Sequence, residues 1–128
     1  MSLQQRITAL EYRERISEHA LQVQVLAYIE REKATPAIYA IAIPNGGLRK
    51  INVAKKLKAE GLRAGVADLE IMLPLGRVAW LELKSHKGQQ SASQKDFEAR
   101  CERLGHPYAV AKTLDEAVMF LKHVGALR

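Results

Sequence analysis

The chain has 128 residues, 48% apolar and 27% charged, which fits one folded domain with a single core and excludes the low-hydrophobicity signature of disorder. Twenty Lys and Arg against fourteen Asp and Glu leave a net charge of +6 and a pI near 9.6, a balance that favours a polyanionic partner. The longest apolar run, AIYAIAI, is far short of the ~20 residues that cross a bilayer, and the start MSLQQRITALEYRER lacks a signal peptide's apolar core. A lone cysteine, Cys101, excludes an intrachain disulfide and a cysteine-based zinc site, so a reducing, cytoplasmic setting is expected with the thiol as core packing.

Residues 1–16 read as a helical extension, with Leu3, Ile7 and Leu10 in a weak stripe that forms a separate helix or a dimer contact. From Ser17 to Lys33, Leu21, Val25, Tyr28 and Ile29 recur at helical spacing until ATP ends the pattern. AIYAIAIP, closed by Pro44, is a short Ile-rich strand, and Asn45, Gly46 and Gly47 then form a turn. LRKINVAKKLKAEG predicts a basic helix with Val53, Ala54 and Leu57 on one face and Gly61 at its C-terminal cap.

GVADLEIMLPLGRVAWLELKS reads as a hairpin turning through Pro74 and Gly76, the residues favoured at the second and fourth positions of a type I turn; Gly76 also suits the left-handed residue of a three-residue loop. Pairing Leu73 with Arg77 places Asp68 opposite Glu82, Glu70 opposite Trp80 and Met72 opposite Val78. SASQ, Ser91 to Gln94, is a capping box, followed by a Phe97, Cys101, Leu104 stripe that ends at Gly105. HPYAVAK is another strand, and TLDE opens a last helix with Leu114, Ala117, Val118 and Leu121 on one side. Helices alternating with strands around a hairpin predict an α/β fold, a mixed β-sheet flanked by helices.

The chemistry gathers in the hairpin. Glu82 and Lys84 are two apart on a strand and emerge from one face, Leu81 and Leu83 from the other, and the register adds Asp68 to the charged face. Two carboxylates that close repel each other unless a cation lies between them, and an all-oxygen site suits Mg²⁺ or Mn²⁺ rather than zinc. A cross-strand ion pair between Lys84 and Glu82 on a solvated face is the alternative. His86 and His106 have no histidine partner at metal spacing and read as loop residues; without a Gly-rich loop and its lysine there is no ATP site and no nucleotide cofactor.

GLRAGVADLEIM, WLELKS and KGQQSASQ, followed by a late strand and helix, resemble in order the VRR-NUC branch of the PD-(D/E)XK nuclease superfamily over residues 17–121. The resemblance implies a restriction-endonuclease-like fold and a metal-dependent DNA endonuclease domain over 17–128. It implies that Asp68, Glu82 and the Leu83 carbonyl bind the metal, with Lys84 positioning the attacking water. Glu18, on the first core helix, stands where such nucleases often have a glutamate that assists the metal site, although an acid in a first turn also favours the helix dipole. Gln94 falls on the family's glutamine and in the capping box at once. Ala67 replaces the proline that often precedes the first acid.

Arg49, Lys50, Lys55, Lys56, Lys58 and Arg63 cluster before the hairpin and Lys87 follows it, a set suited to a phosphate backbone. With two Phe and one Trp, base stacking is poorly supported and duplex binding fits better than single strands. The family's small members resemble junction-resolving homodimers, so branched DNA and a second copy of the chain are the expected partners. A general duplex, nick or flap nuclease, or a non-catalytic basic DNA-binding module, is the alternative.

Overall fold

The computed structural model describes residues 2–6, 16–44 and 51–128. The stripe at Ile7 and Leu10, the turn at Asn45–Gly47, and Arg49 and Lys50 lie outside the described residues. After a helical stretch at 3–6, the elements are α1 (Glu18–Glu32), β1 (Tyr39–Ala42), α2 (Ile51–Ala59), β2 (Leu69–Met72), β3 (Val78–Leu83), α3 (Ala92–Leu104), β4 (Tyr108–Ala111) and α4 (Leu114–His123). Among the described residues no helix is long and apolar enough to cross a membrane.

Side-chain caps start the helices. Ser17 accepts from the Ala20 amide at 3.1 Å, and Thr113 from the Glu116 amide at 3.1 Å, each satisfying an N–H that the helix leaves without a partner. At α3 the capping box is complete: the Ser91 hydroxyl accepts from the Gln94 amide, and the Ser91 amide donates to Gln94 Oε1.

The strands form one sheet in the order β1-β2-β3-β4, antiparallel through β3 and parallel between β3 and β4. The parallel pair requires a crossover, which α3 supplies. Leu21, Val25 and Ile29 of α1 and Ala117 and Leu121 of α4 pack against Leu69, Ile71, Leu81 and Leu83 on one side of the sheet. Each large aliphatic side chain buried there contributes about 1.5–3 kcal/mol. On the other side α3 covers β3 and β4: Phe97 meets Trp80 edge to face at 5.2 Å and Tyr108 at 6.1 Å. Cys101 is buried beneath the same helix, its thiol pushed up by burial and then by Glu98 and Glu102, an environment for an inert packing residue.

Three local expectations change. The α2 face formed by Val53, Ala54 and Leu57 meets no core: no residue of this helix is buried, Val53 is 43% exposed and Ile51 76%. Leu104 is 75% exposed, although its stripe partner Cys101 is buried; the last turn of α3 runs past the packed surface before Gly105 ends it. In the hairpin, Leu75 adopts φ 64, ψ 33, where a type I turn needs φ near −90°, so two successive left-handed residues, Leu75 and Gly76, make the reversal. The register survives because the Leu73 amide still donates to the Arg77 carbonyl at 2.9 Å. Arg77 Nη1 donates to the Val124 carbonyl beyond α4, tying the hairpin to the end of the chain.

Candidate active site

The paired residues of β2 and β3 end at Leu69 and Leu81, and Asp68 and Glu82 are the next residues on either side. The Asp68 carbonyl accepts from the Ile43 amide at 2.8 Å, which keeps this residue in line with β1. Its carboxylate crosses to the other neighbour, where Oδ2 accepts from the Leu83 amide at 2.7 Å. Within a strand the N–H and C=O of one residue point the same way, so the Leu83 carbonyl is directed to the Asp68 side of β3.

Glu82, the next residue of the alternation, is 2% exposed. Its Oε1 accepts from Gln94 Nε2 at 3.1 Å and lies 3.7 Å from Lys84 Nζ. Oε2 is buried and has no hydrogen-bond partner. Burial first, and then the neighbouring Asp68 carboxyl group, raise the Glu82 carboxyl to about 8 against a lowering by Lys84; Glu18 adds to the rise. Without a cation the Glu82 carboxyl therefore keeps its proton at neutral pH.

Lys84 is half-buried, and its amide donates to the Ala111 carbonyl, which extends the β3–β4 ladder to the site. Glu18, in the first turn of α1, accepts from the Ser85 amide at 3.3 Å, so it meets the chain just after Lys84 and reaches Glu82 through charge alone. Gln94 carries two duties with one amide group: Oε1 closes the α3 cap and Nε2 holds Glu82. Lys55, Lys56, Lys58, Arg63 and Lys87 are all exposed. His106 Nδ1 is 3.3 Å from the Val78 carbonyl, away from the acids, and the His86 carbonyl accepts from Lys112 Nζ.

Two glycines that spacing alone does not single out also shape the site. A Cβ on Gly65 would lie 2.2 Å from the Ser93 carbonyl oxygen, and its φ of +82° disfavours a side chain as well, so only glycine lets the segment before Asp68 rest on the first turn of α3. A Cβ on Gly88 would meet Ser85 Oγ at 3.1 Å and Glu18 Oε1 at 3.3 Å, which closes the loop after Lys84 around Glu18. In the sequence, glycine a few residues from a charged strand signals only a turn. The Tyr108 hydroxyl accepts from Gln90 Nε2 at 3.1 Å, and this tie between loop and β4 likewise has no local sequence signal.

Among the described residues, no three His, Cys, Asp or Glu side chains converge as metal ligands. Asp68 and Glu82 nevertheless fit a hard divalent cation, because the buried, partnerless Oε2 of Glu82 beside a second carboxylate is the donor such an ion would satisfy. Two carboxylates and one carbonyl leave several positions to water, the usual condition for Mg²⁺.

A mixed four-stranded sheet flanked by helices, with acids on its central hairpin, is an α/β fold of the restriction-endonuclease-like kind. A solved structure described as a VRR_NUC domain protein superposes with a TM-score of 0.67 at 22% identity, covering 84% of this chain and 86% of that one. A second, described as a VRR_NUC domain, gives 0.60 at 16% identity over 84% of this chain and 98% of that one. No family model and no curated protein sequence matches the chain. The fold is that of a VRR-NUC domain.

Proposed function

We propose that residues 17–128 form a divalent-metal-dependent DNA endonuclease domain that hydrolyses phosphodiester bonds in the cytoplasm, acting on branched DNA as a homodimer. The observation that carries this reading is the buried Glu82 carboxylate, with one oxygen held by Gln94 and near Lys84, and the other unpartnered on the side of Asp68. An isolated buried carboxyl costs several kcal/mol, a cost that is unexplained if the cluster is only an ion pair.

Asp68, Glu82 and the Leu83 carbonyl would hold Mg²⁺ or Mn²⁺, which when bound polarises a phosphate oxygen and lowers the pKa of water. The chain's own groups do the rest. Gln94 fixes the Glu82 rotamer, and the Leu83 amide fixes that of Asp68. The Lys84 ammonium, held beside Glu82, orients a water and stabilises negative charge developing on the phosphate. Glu18 keeps the turn after Lys84 in place through the Ser85 amide. Exposed Lys55, Lys56, Arg63 and Lys87, with Arg49 and Lys50, supply sequence-independent attraction to the DNA backbone.

Cleavage of labelled four-way junction, flap, duplex and single-stranded DNA in Mg²⁺, Mn²⁺ or EDTA, with Lys84→Ala beside the native protein, tests the reading. Paired, metal-dependent cuts in the junction, lost in the variant while binding persists, are expected. Cutting of every duplex would replace branched-DNA specificity with a general nuclease. Tight binding without cleavage would leave a DNA-binding module.

A further inference from the structure

Two depressions on the surface share a wall at Arg63 and Ala64, and neither is lined by Asp68, Glu82 or Lys84. The larger, about 530 Å³, runs between residues 63–66 and α3, with Ser93, Asp96, Phe97 and Arg100 along it. The smaller, about 290 Å³, is lined by Leu62 and by Lys58 at the end of α2. The larger furrow carries two cations, Arg63 and Arg100, and one acid, Asp96; the smaller depression adds a third cation, Lys58.

Arg63 and Arg100 are exposed, and among the described residues neither is paired with a carboxylate, although Asp96 lines the same furrow. Both guanidinium forks are thus open to an anion, and a planar fork matches phosphate. The lining beside them is apolar at Ala64, Val66 and Phe97, with Ser93 next to them, a surface on which the apolar face of a deoxyribose can rest. Phe97 already packs against Trp80 and Tyr108, so the furrow offers little aromatic surface for stacking a base.

The furrow is also locked to the carboxylates. Gly65 rests on the Ser93 carbonyl and the Gln94 amide so closely that a Cβ there would approach them to 2.2 and 2.7 Å. Ser93 also lines the furrow, Asp68 follows Gly65 by three residues, and Gln94 is bonded to Glu82. A strand gripped in the furrow is therefore registered against the acids by a backbone-to-backbone contact.

The geometry points to a track for the sugar-phosphate backbone of one DNA strand, with Arg63 and Arg100 as phosphate ligands and Lys58 extending it. This deepens the nuclease reading and rests on it for the identity of the polymer. Asp96, as the one acid in the track, weakens binding and so limits retention of the strand.

Fluorescence anisotropy with labelled duplex and junction DNA over a salt series tests the track, using the native protein, Arg63→Gln/Arg100→Gln, Arg63→Lys/Arg100→Lys, Asp96→Asn and, as a control on α4, Lys122→Gln. The Gln pair should bind about tenfold more weakly, with the slope of log K against log salt shallower by about 0.9 per lost phosphate contact. The Lys pair should recover the native salt slope but only part of the affinity, because it keeps the charge without the fork, a recovery a folding defect would not allow, and Asp96→Asn should bind a few-fold more tightly. A Gln pair with native affinity and slope overturns the track, as does weaker binding by Asp96→Asn, which would signal a base edge instead. A native protein that binds no DNA overturns the track and the nuclease reading together. Weak binding by the Gln pair from a native protein that binds DNA but never cleaves it upholds the track and removes only the nuclease reading.

Discussion

Leu81, Glu82 and Leu83 are buried to nearly the same degree on opposite faces of β3 and do opposite things. Leu81 and Leu83 meet α1 and α4 across an apolar interface, where burial itself is the stabilising term. Glu82, between them in sequence, is just as enclosed beneath α3 but keeps an oxygen without a partner and a carboxyl raised to about 8. One strand thus carries a face that stabilises the fold and a face that holds a buried, unpartnered carboxyl oxygen, and the second is tolerated because the first is complete.

The sharpest test of that contrast is Glu82→Gln. The amide keeps an acceptor for Gln94 and adds a donor toward Asp68, so the fold should stand while metal-dependent cleavage falls about a thousandfold or more, about 4 kcal/mol of lost transition-state stabilisation. Single-turnover cleavage together with calorimetric titration of Mn²⁺ would check it; a variant that cuts at the native rate would remove Glu82 from the chemistry.

Leu81→Ala attacks the other face. It should cost about 2–5 kcal/mol in urea unfolding, with cleavage per folded molecule largely retained. A small stability loss would mean that the core collapses around the cavity.

The pH dependence separates the faces without changing the core. Glu82 titrates near 4.5 unfolded and near 8 folded, so the native state binds the extra proton between those values. Stability present below about pH 4.5 is then lost as pH rises toward 8, because unfolding releases that proton. In EDTA the native protein should lose Tm over this range relative to Glu82→Gln, whose curve lacks the component. Divalent cations should bind about tenfold more tightly per pH unit up to 8, since binding displaces the proton. Parallel Tm curves for the two proteins would show that Glu82 does not carry a raised pKa.

The smallest effect belongs to the turn that joins the strands. Leu75, 96% exposed at φ 64, sits where glycine has no steric cost. Leu75→Gly should raise stability by up to about 1 kcal/mol and leave cleavage unchanged, since the loss of αL strain outweighs the added backbone entropy of glycine. A destabilised variant would show that entropy prevails.

How much of this was legible in the sequence differs from element to element. Alternation along WLELKS separates Glu82 and Lys84 from Leu81 and Leu83 because the strand period is two, and the short connection at Pro74–Gly76 sets the register even though the turn geometry differs. Ser17, Ser91 and Thr113 mark helix starts because each bonds the amide three residues on, an interaction entirely local. Periodicity misreads α2 and Leu104, since an apolar stripe shows which residues share a face and is silent on whether anything covers it.

The hairpin register, the helix starts and the candidate acids thus follow from the sequence alone, being consequences of neighbouring residues and simple periods, whereas the strand order came with the structure. The closure of Glu18 on Ser85, the seating of Gly65 on α3, the double use of Gln94 and the depth at which Glu82 is enclosed came only with the tertiary structure. Each of these joins segments distant in the chain through hydrogen bonds or steric contacts a few ångströms long. No local pattern encodes such contacts, because they exist only once the sheet and the helices on both of its faces have packed.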